Sequence, residues 1–309
     1  MISRIVARFP QGPEVLLGPG DDAAVLAHPD GRSVATMDLL VEGRHFRTDW
    51  SGAYDIGRKA AAQNLADVVA MGARPTALLI GVGLPGRLDV AWAEALGDGL
   101  RDECAVVGAS IVGGDTVSAE TITVAVTALG DLGGRAPLTR SGARPGDVVA
   151  VRGGLGRSAA GLRLLLAAPV GAGEAGAFEE WIGGLPERER ALVAAHRRPA
   201  PPYTAGEEAR TLGATALLDV SDGLVQDLGH ICRASGVAIE LAASALPAAG
   251  GVTAEDLLTG GEDHAFAGTF PAEAALPAEW RVVGRVTRGA GVTVDGNVPG
   301  RGGWDHFGV

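Results

Sequence analysis

The sequence predicts an α/β (α+β) protein of two domains. Three observations lead there. The chain has 309 residues, more than one hydrophobic core usually serves. In both halves, short β-like runs alternate with longer segments of helical periodicity. Between the halves, GDLGGRAPLTRSGARPGD is rich in Gly, Pro and Arg, which places a boundary near Ala136 and gives domains 1–136 and 137–309.

In the first half, DDAAVLA and SVATMDLLV read as short strands. YDIGRKAAAQNLADVVAMG has helical periodicity and is closed by Gly72 and Pro75. The strand TALLIGV follows, then the helix DVAWAEALGDGLRDECAVVG, the strand SIVGG and the cleanly alternating TITVAVTALG. The second half opens on the strand DVVAVRG and the helix SAAGLRLLLAA. A Gly/Ala-rich connection containing Trp181 leads to the helix ERERALVAAHRR, which Pro199, Pro201 and Pro202 stop. TALLDVS reads as a buried strand, with Ser221 or Asp222 placed to cap the helix GLVQDLGHICRASG. GVAIELA, the helix AEDLLTGG and late strands complete the chain.

Composition excludes several functions. A net charge of −11 argues against a nucleic-acid partner, because binding the phosphate backbone requires a basic stripe. No apolar run reaches the length of a membrane span, and the N-terminus lacks the apolar core of a signal peptide, so a soluble cytoplasmic protein is expected. Cys104 and Cys232 fall in helix-like stretches and read as core. Lys59 is the only lysine and no Gly-rich loop precedes it, so neither a P-loop nor a protein-kinase lysine is available. If the chain handles ATP, divalent cations must supply most of the positive charge. Zinc is not expected without HExxH or paired cysteines, nor a serine nucleophile without a G-x-S-x-G elbow.

Six motifs place aspartates beside glycines or at element ends: GPGDD, ATMDLLVEGRH, NLADVVAMGA, VGGDT, LLDVSDGL and TGGEDH. Any one is most simply a turn or cap. Asp219 is harder to dismiss, since it ends an apolar run and a buried carboxylate needs a cation or dense hydrogen bonding. Lys59, Gln63 and Asp67 share one helix face, and residues alone leave a solvated face and a site residue equally open. Separated hard-oxygen ligands of this kind suit Mg²⁺. GLGRSA, at 154–159, matches a dinucleotide fingerprint, but LLLAAPVGAGEAG breaks before the second strand that would carry the acid at Glu174. It reads as a strand-to-helix connection whose amides could hold an anion.

Taken in order, the motifs from GPGDDAAVL through TRSGARPGD and LLDVSDGLVQDLGHI to GWDHF resemble the thiamine-monophosphate kinase family of the aminoimidazole ribonucleotide synthetase superfamily. The resemblance implies an N-terminal mixed sheet with flanking helices that pairs in a homodimer and carries ATP and metal, and a C-terminal α/β domain that completes the site. It implies ATP as co-substrate, two or more Mg²⁺ ions, and in-line phosphorylation of thiamine phosphate to thiamine diphosphate. Its metal ligands fall on Asp22, Thr36, Asp38, Asp67, Asp115, Asp219 and Asp222, with Asp21 auxiliary. ATP contacts fall on Arg140, Ser221 and Asp115, and acceptor contacts on His45, Glu262 and Trp304. Arg140 and His45 also fit plain loop residues, and Trp304 a tail anchor. Two departures stand out. Met37 replaces a hydroxyl residue, and His264 and Ala265 replace the aromatic and acid of GGEDYE. Another ATP-using enzyme of the superfamily, close to aminoimidazole ribonucleotide synthetase, and a non-catalytic nucleotide-binding module are the alternatives.

Overall fold

The computed structural model describes residues 8–17, 24–170, 176–247, 249–300 and 302–304. Its contacts divide the chain into two units. The first comprises Met1–Val68, Ala73–Ala136 and Pro169–Trp181; the second comprises Val69–Gly72, Pro137–Ala168 and Ile182–Val309. The division passes between Ala136 and Pro137, but each unit also takes a segment from the other's stretch of sequence.

The first unit is built on a four-stranded mixed sheet. Its strands are β3 (Val34–Val41), β4 (Arg74–Leu84), β5 (Ser110–Ser118) and β6 (Thr123–Asp131), in the order β3-β6-β4-β5. Only the β4–β5 pair is parallel. A small antiparallel pair of β1 (Val15–Leu17) and β2 (Val25–Leu26) lies apart from it, and Val25 and Leu26 are the strand residues in the described part of DDAAVLA. β6 shows why the alternating pattern was legible. Val124, Val126 and Ala128 are fully buried, while the residues between them are half-buried. The buried face is covered by helical residues from α1 (Ala53–Ala70) and α2 (Val90–Val107), including Ile56, Leu65, Leu96 and Leu100. These two helices cross at glycines. A Cβ on Gly57 would stand 2.2 Å from the Leu96 carbonyl oxygen, and one on Gly99 would stand 2.1 Å from that of Tyr54. Either alanine would push the helices apart.

The second unit holds a six-stranded sheet of β7 (Val148–Arg152), β8 (Ala216–Val220), β9 (Ala238–Leu241), β10 (Ala265–Phe270), β11 (Trp280–Thr287) and β12 (Gly291–Val294). Their order is β12-β9-β11-β7-β10-β8, with β12–β9 parallel and the rest antiparallel. β8 and β10 are buried along their whole length, which fits their largely apolar sequences, broken by Asp219 in β8 and Thr269 in β10. The helices are α3 (Arg157–Leu166), α4 (Ala177–Gly184), α5 (Glu187–Arg197), α6 (Ala205–Thr211), α7 (Leu224–Ser235) and α8 (Ala254–Thr259). α7 turns Leu224, Leu228, Ile231 and Cys232 into the core that also holds Leu218, Val220 and Ile239. Each large apolar side chain there contributes roughly 1.5–3 kcal/mol on burial.

The structure departs from the sequence expectations at four places. The Trp181 connection contains α4, and α6 occupies a stretch with no predicted element. β5 runs on to Ser118, so Asp115 lies inside a strand and not at a turn. α7 is capped by neither Ser221 nor Asp222: its N-cap is Gly223, which has no side chain to offer. Both cysteines are buried thiols, as expected.

Candidate active site

In the first unit, strand alternation and helix spacing bring three of the expected ligands together. Thr36 and Asp38 are two apart on β3 and project to the side that faces α1. Thr36 Oγ1 donates to Asp67 Oδ2 at 2.7 Å. One turn earlier on α1, the fully buried Asn64 accepts the Asp38 amide through Oδ1 at 2.9 Å and donates through Nδ2 to Ala60 O. Asp67 is therefore bonded to a strand and is not part of a solvated face. Lys59, on the same helix, is 2 % exposed and donates to His45 O at 3.0 Å. His45 in turn accepts the Val41 amide through Nδ1 at 3.0 Å, which ties its ring to the end of β3.

Asp115 does not join this group within one chain. Its cross-strand row runs through Gly81 and Ala125 to Leu39, on the opposite face of the sheet from Asp38. It is also on the far edge strand, roughly 14 Å away at ordinary strand spacing. Met37 points to that open face as well and is 61 % exposed. A hydroxyl at position 37 would therefore not have faced Thr36 and Asp67. Asp21 and Asp22 lie outside the described residues.

The second unit gathers five expected residues around one turn. Asp219 lies near the end of β8 and is 5 % exposed; His264 Nδ1 donates to its Oδ2 at 3.1 Å. Beyond β8 the chain turns, and the amides of Ser221, Asp222 and Gly223 all donate to one oxygen of Asp227, each at 3.0 Å. Asp227 belongs to the first turn of α7 and is 4 % exposed. Burial, and then the charges of Asp219 and Asp222, push its carboxyl up to about 7. Glu262 donates its amide to Ser221 O at 2.7 Å, and His264 donates its own to Val220 O at 3.0 Å. Trp304 is tied by backbone, its amide donating to Asp222 O at 2.9 Å and its carbonyl accepting from Gln226 Nε2 at 2.7 Å. The main chain makes the tail anchor, and the indole stays half exposed. Arg140 is exposed, and its carbonyl accepts from Ser235 Oγ. Burial, and then the Arg140 charge, depress the His230 pKa.

The two family departures in the second unit are accommodated. His264 takes up a buried bond to Asp219, and Ala265 opens the fully buried β10 at 1 % exposure, where an ionised acid would lack a partner. GLGRSA is the strand-to-helix connection between β7 and α3, but two of its amides are not open to an external anion. Asp263 takes those of Gly156 and Ser158. Burial pushes the Asp263 carboxyl up to about 6 against the pull of these amides.

Asn64, Asp227 and Asp263 were missed from sequence. Asn64 had a faint signal, a poor helix former inside an apolar helix face. Asp227 had another, an acid in a first turn just after Asp-Gly. Asp263 sat beside Glu262 with nothing to separate their roles. Among the described residues, no three His, Cys, Asp or Glu side chains converge as a metal site. No helix among them is long and apolar enough to cross a membrane.

Residues 20–132 match the family model for the AIR synthase related protein, N-terminal domain. The chain is 48% identical to the thiamine-monophosphate kinase of Mycobacterium tuberculosis, over 100% of its own length and 91% of the relative's. It belongs to the thiamine-monophosphate kinase family. A second member, from Corynebacterium glutamicum, is 41% identical over 93% of this chain and 88% of that one. Among solved structures, the family's enzyme from Stenotrophomonas maltophilia superposes with a TM-score of 0.83 at 34% identity, covering 96% of both chains. AaThiL complexed with AMPPCP and TMP gives a TM-score of 0.81 at 33% identity, over 93% of this chain and 91% of that one. The hydrogenase maturation protein HypE of E. coli shares the fold at 21% identity and a TM-score of 0.72.

Proposed function

We propose that this chain phosphorylates thiamine phosphate to thiamine diphosphate with ATP, by direct in-line transfer at a site carrying two or more Mg²⁺ ions. The observation that carries the reading is the Ser221–Gly223 turn. There the residues that the family resemblance assigns to metal, nucleotide and acceptor lie close together: Ser221, Asp222, Glu262 and Trp304 share one set of hydrogen bonds, and Asp219 stands two residues before the turn. An ATP-analogue and TMP complex of a relative with the same fold supports the choice of substrates.

The residues fit hard cations. Asp219, Asp222 and Asp227 crowd enough negative charge to help raise the last of them to about 7, a repulsion that a divalent ion relieves. When bound, Mg²⁺ would neutralise most of the phosphate charge, since the one lysine is buried and Arg140 is the one arginine among the expected contacts. Thr36, Asp38 and Asp67 with Asp22 would hold it in the N-terminal region, and Asp219 and Asp222 in the C-terminal one. Ser221, Arg140 and Asp115 would contact ATP, and His45, Glu262 and Trp304 the acceptor. The half-exposed indole suits a flat cationic ring. No general base is needed, because the second pKa of a phosphate monoester is about 6 and the acceptor oxygen is already ionised. Residues 1–136 would then form the ATP, metal and dimerisation domain and 137–309 the domain that completes the site, in a cytoplasmic enzyme.

A homodimer is part of the proposal. The open face of the four-stranded sheet exposes Met37, Leu39, Leu79 and Val117 at 61, 47, 39 and 54 %. Four large apolar side chains on one sheet face suit an isologous contact with a second copy. Pairing through this face would set Asp115, which shares it, in the interface with the partner's sheet. Purified protein given ATP, Mg²⁺ and thiamine phosphate should yield thiamine diphosphate and ADP. ADP release that ignores the acceptor would refute the reading.

A further inference from the structure

We infer that Asp263 is the positioning residue for the acceptor side of the site. By clasping two amides at the start of α3, it holds the left-handed backbone that presents Glu262. The inference rests on the reading of Glu262 as an acceptor contact.

The loop after Gly261 is unusual in its backbone. Glu262 and His264 adopt φ values of 61° and 51°, a region that side chains with a Cβ enter reluctantly. Two such residues flank Asp263, so something must hold the loop. Their amides are fixed from one side, by Ser221 O and Val220 O. The Asp263 side chain fixes it from the other: Oδ2 accepts from Gly156 N and Oδ1 from Ser158 N, the latter at 2.8 Å.

The partners of the clasp explain why it cannot be local. The first N–H groups of a helix have no partner within it. Gly156, the N-cap of α3, offers no side chain, and at φ 70° its would-be Cβ stands 2.7 Å from Asp256 backbone, which leaves no room for a capping serine or aspartate. The cap therefore comes from a residue 107 positions away. Ser158 extends the link toward Glu262. Its Oγ is hydrogen-bonded to His196 Nδ1 at 3.0 Å, and the same nitrogen lies 3.9 Å from a Glu262 carboxylate oxygen. One helix start thus holds both the backbone beside Glu262 and the ring beside its side chain.

Asp263→Asn tests this, because an amide keeps one acceptor and turns an NH₂ group toward the other N–H. Hydrogen exchange at the Glu262 and His264 amides should accelerate. The KM for thiamine phosphate should rise about tenfold, while that for ATP stays within about twofold. Asp263→Glu, which keeps the charge but displaces the loop, is read in the same way if the first variant does not fold. Unchanged exchange overturns the inference, and so does an equal rise in both KM values with a lower Tm, which is what a helix cap alone would give. Glu262→Gln is measured alongside. If it leaves the acceptor KM unchanged, the reading of Glu262 fails, and that case is recognised by Asp263→Asn speeding exchange without altering KM.

Discussion

The two halves of the candidate site hold their oxygens by different means. In the first unit, Thr36 and Asp38 share a strand face, and Asn64 and Asp67 share a helix face, so regular backbone does the aiming. In the second, Asp222 and Glu262 stand on loops just beyond Asp219, and two acids, the buried Asp227 and the half-buried Asp263, pin the backbone through five amides. Regular elements tolerate the loss of one supporting bond because their own ladders remain. A pinned loop has no ladder to fall back on, so its supports should matter as much as the residues they aim.

The largest effect should come from the buried ligand candidate of the second unit. Asp219→Asn should lower kcat by about a thousandfold or more while leaving the circular dichroism unchanged, because it removes charge and keeps shape. Near-normal turnover with unaltered Mg²⁺ dependence would remove Asp219 from the metal set. Next in size is a test of whether the first unit is complete in one chain. Asp38→Asn and Asp115→Asn should each be inactive, yet refolding them together should restore about a quarter of wild-type activity, since half of random dimers carry one intact site. No recovery would mean that Asp115 serves its own chain or that the chain does not pair.

The comparison itself is tested by removing one support from each half. Asp227→Ala leaves three amides without an acceptor and should cost roughly 3 kcal/mol or more, with a raised Mg²⁺ requirement. Asp227→Asn, which keeps an oxygen where all three amides point, should recover most of this. Asn64→Ala strips one amide of its partner and should cost about 1–2 kcal/mol with little change in Mg²⁺ activation. Equal effects on Mg²⁺ activation from Asn64→Ala and Asp227→Ala would erase the distinction between the halves.

The smallest effect concerns pH. Asp263 titrates at about 6 in the folded chain, above the ordinary 3.8, so between these values the folded state retains a proton that the unfolded state has lost. Its contribution to stability is therefore present below about pH 4 and declines as pH rises toward about 6. The difference in Tm between the wild type and Asp263→Asn should narrow over that range. A widening difference would show that the two amides outweigh burial and that the carboxyl is depressed.

The sequence by itself determined the α/β class, the periodic helices α1, α2 and α7, and the alternation that sets Thr36 and Asp38 on one face. These depend on contacts a few residues apart, which leave a local pattern. It also carried the family's ordered motifs, and the chain matches one relative over its full length. Only the tertiary structure decided which carboxylates are ligand candidates and which are supports. Asp222 and Asp227 are five apart and both sit near glycine, but one offers its amide and the other receives it. Asp263 and Gly156 meet across 107 residues, a pairing that no local composition encodes. The face of Asp115 was hidden for a related reason. Gly113 and Gly114 read as the end of a strand, whereas pairing with β4 carries β5 on through them to Ser118 and turns Asp115 away from Asp38. Long-range pairing, buried amides and cross-strand register are collective properties of the folded chain, and they settle what a single aspartate in a Gly-rich motif is for.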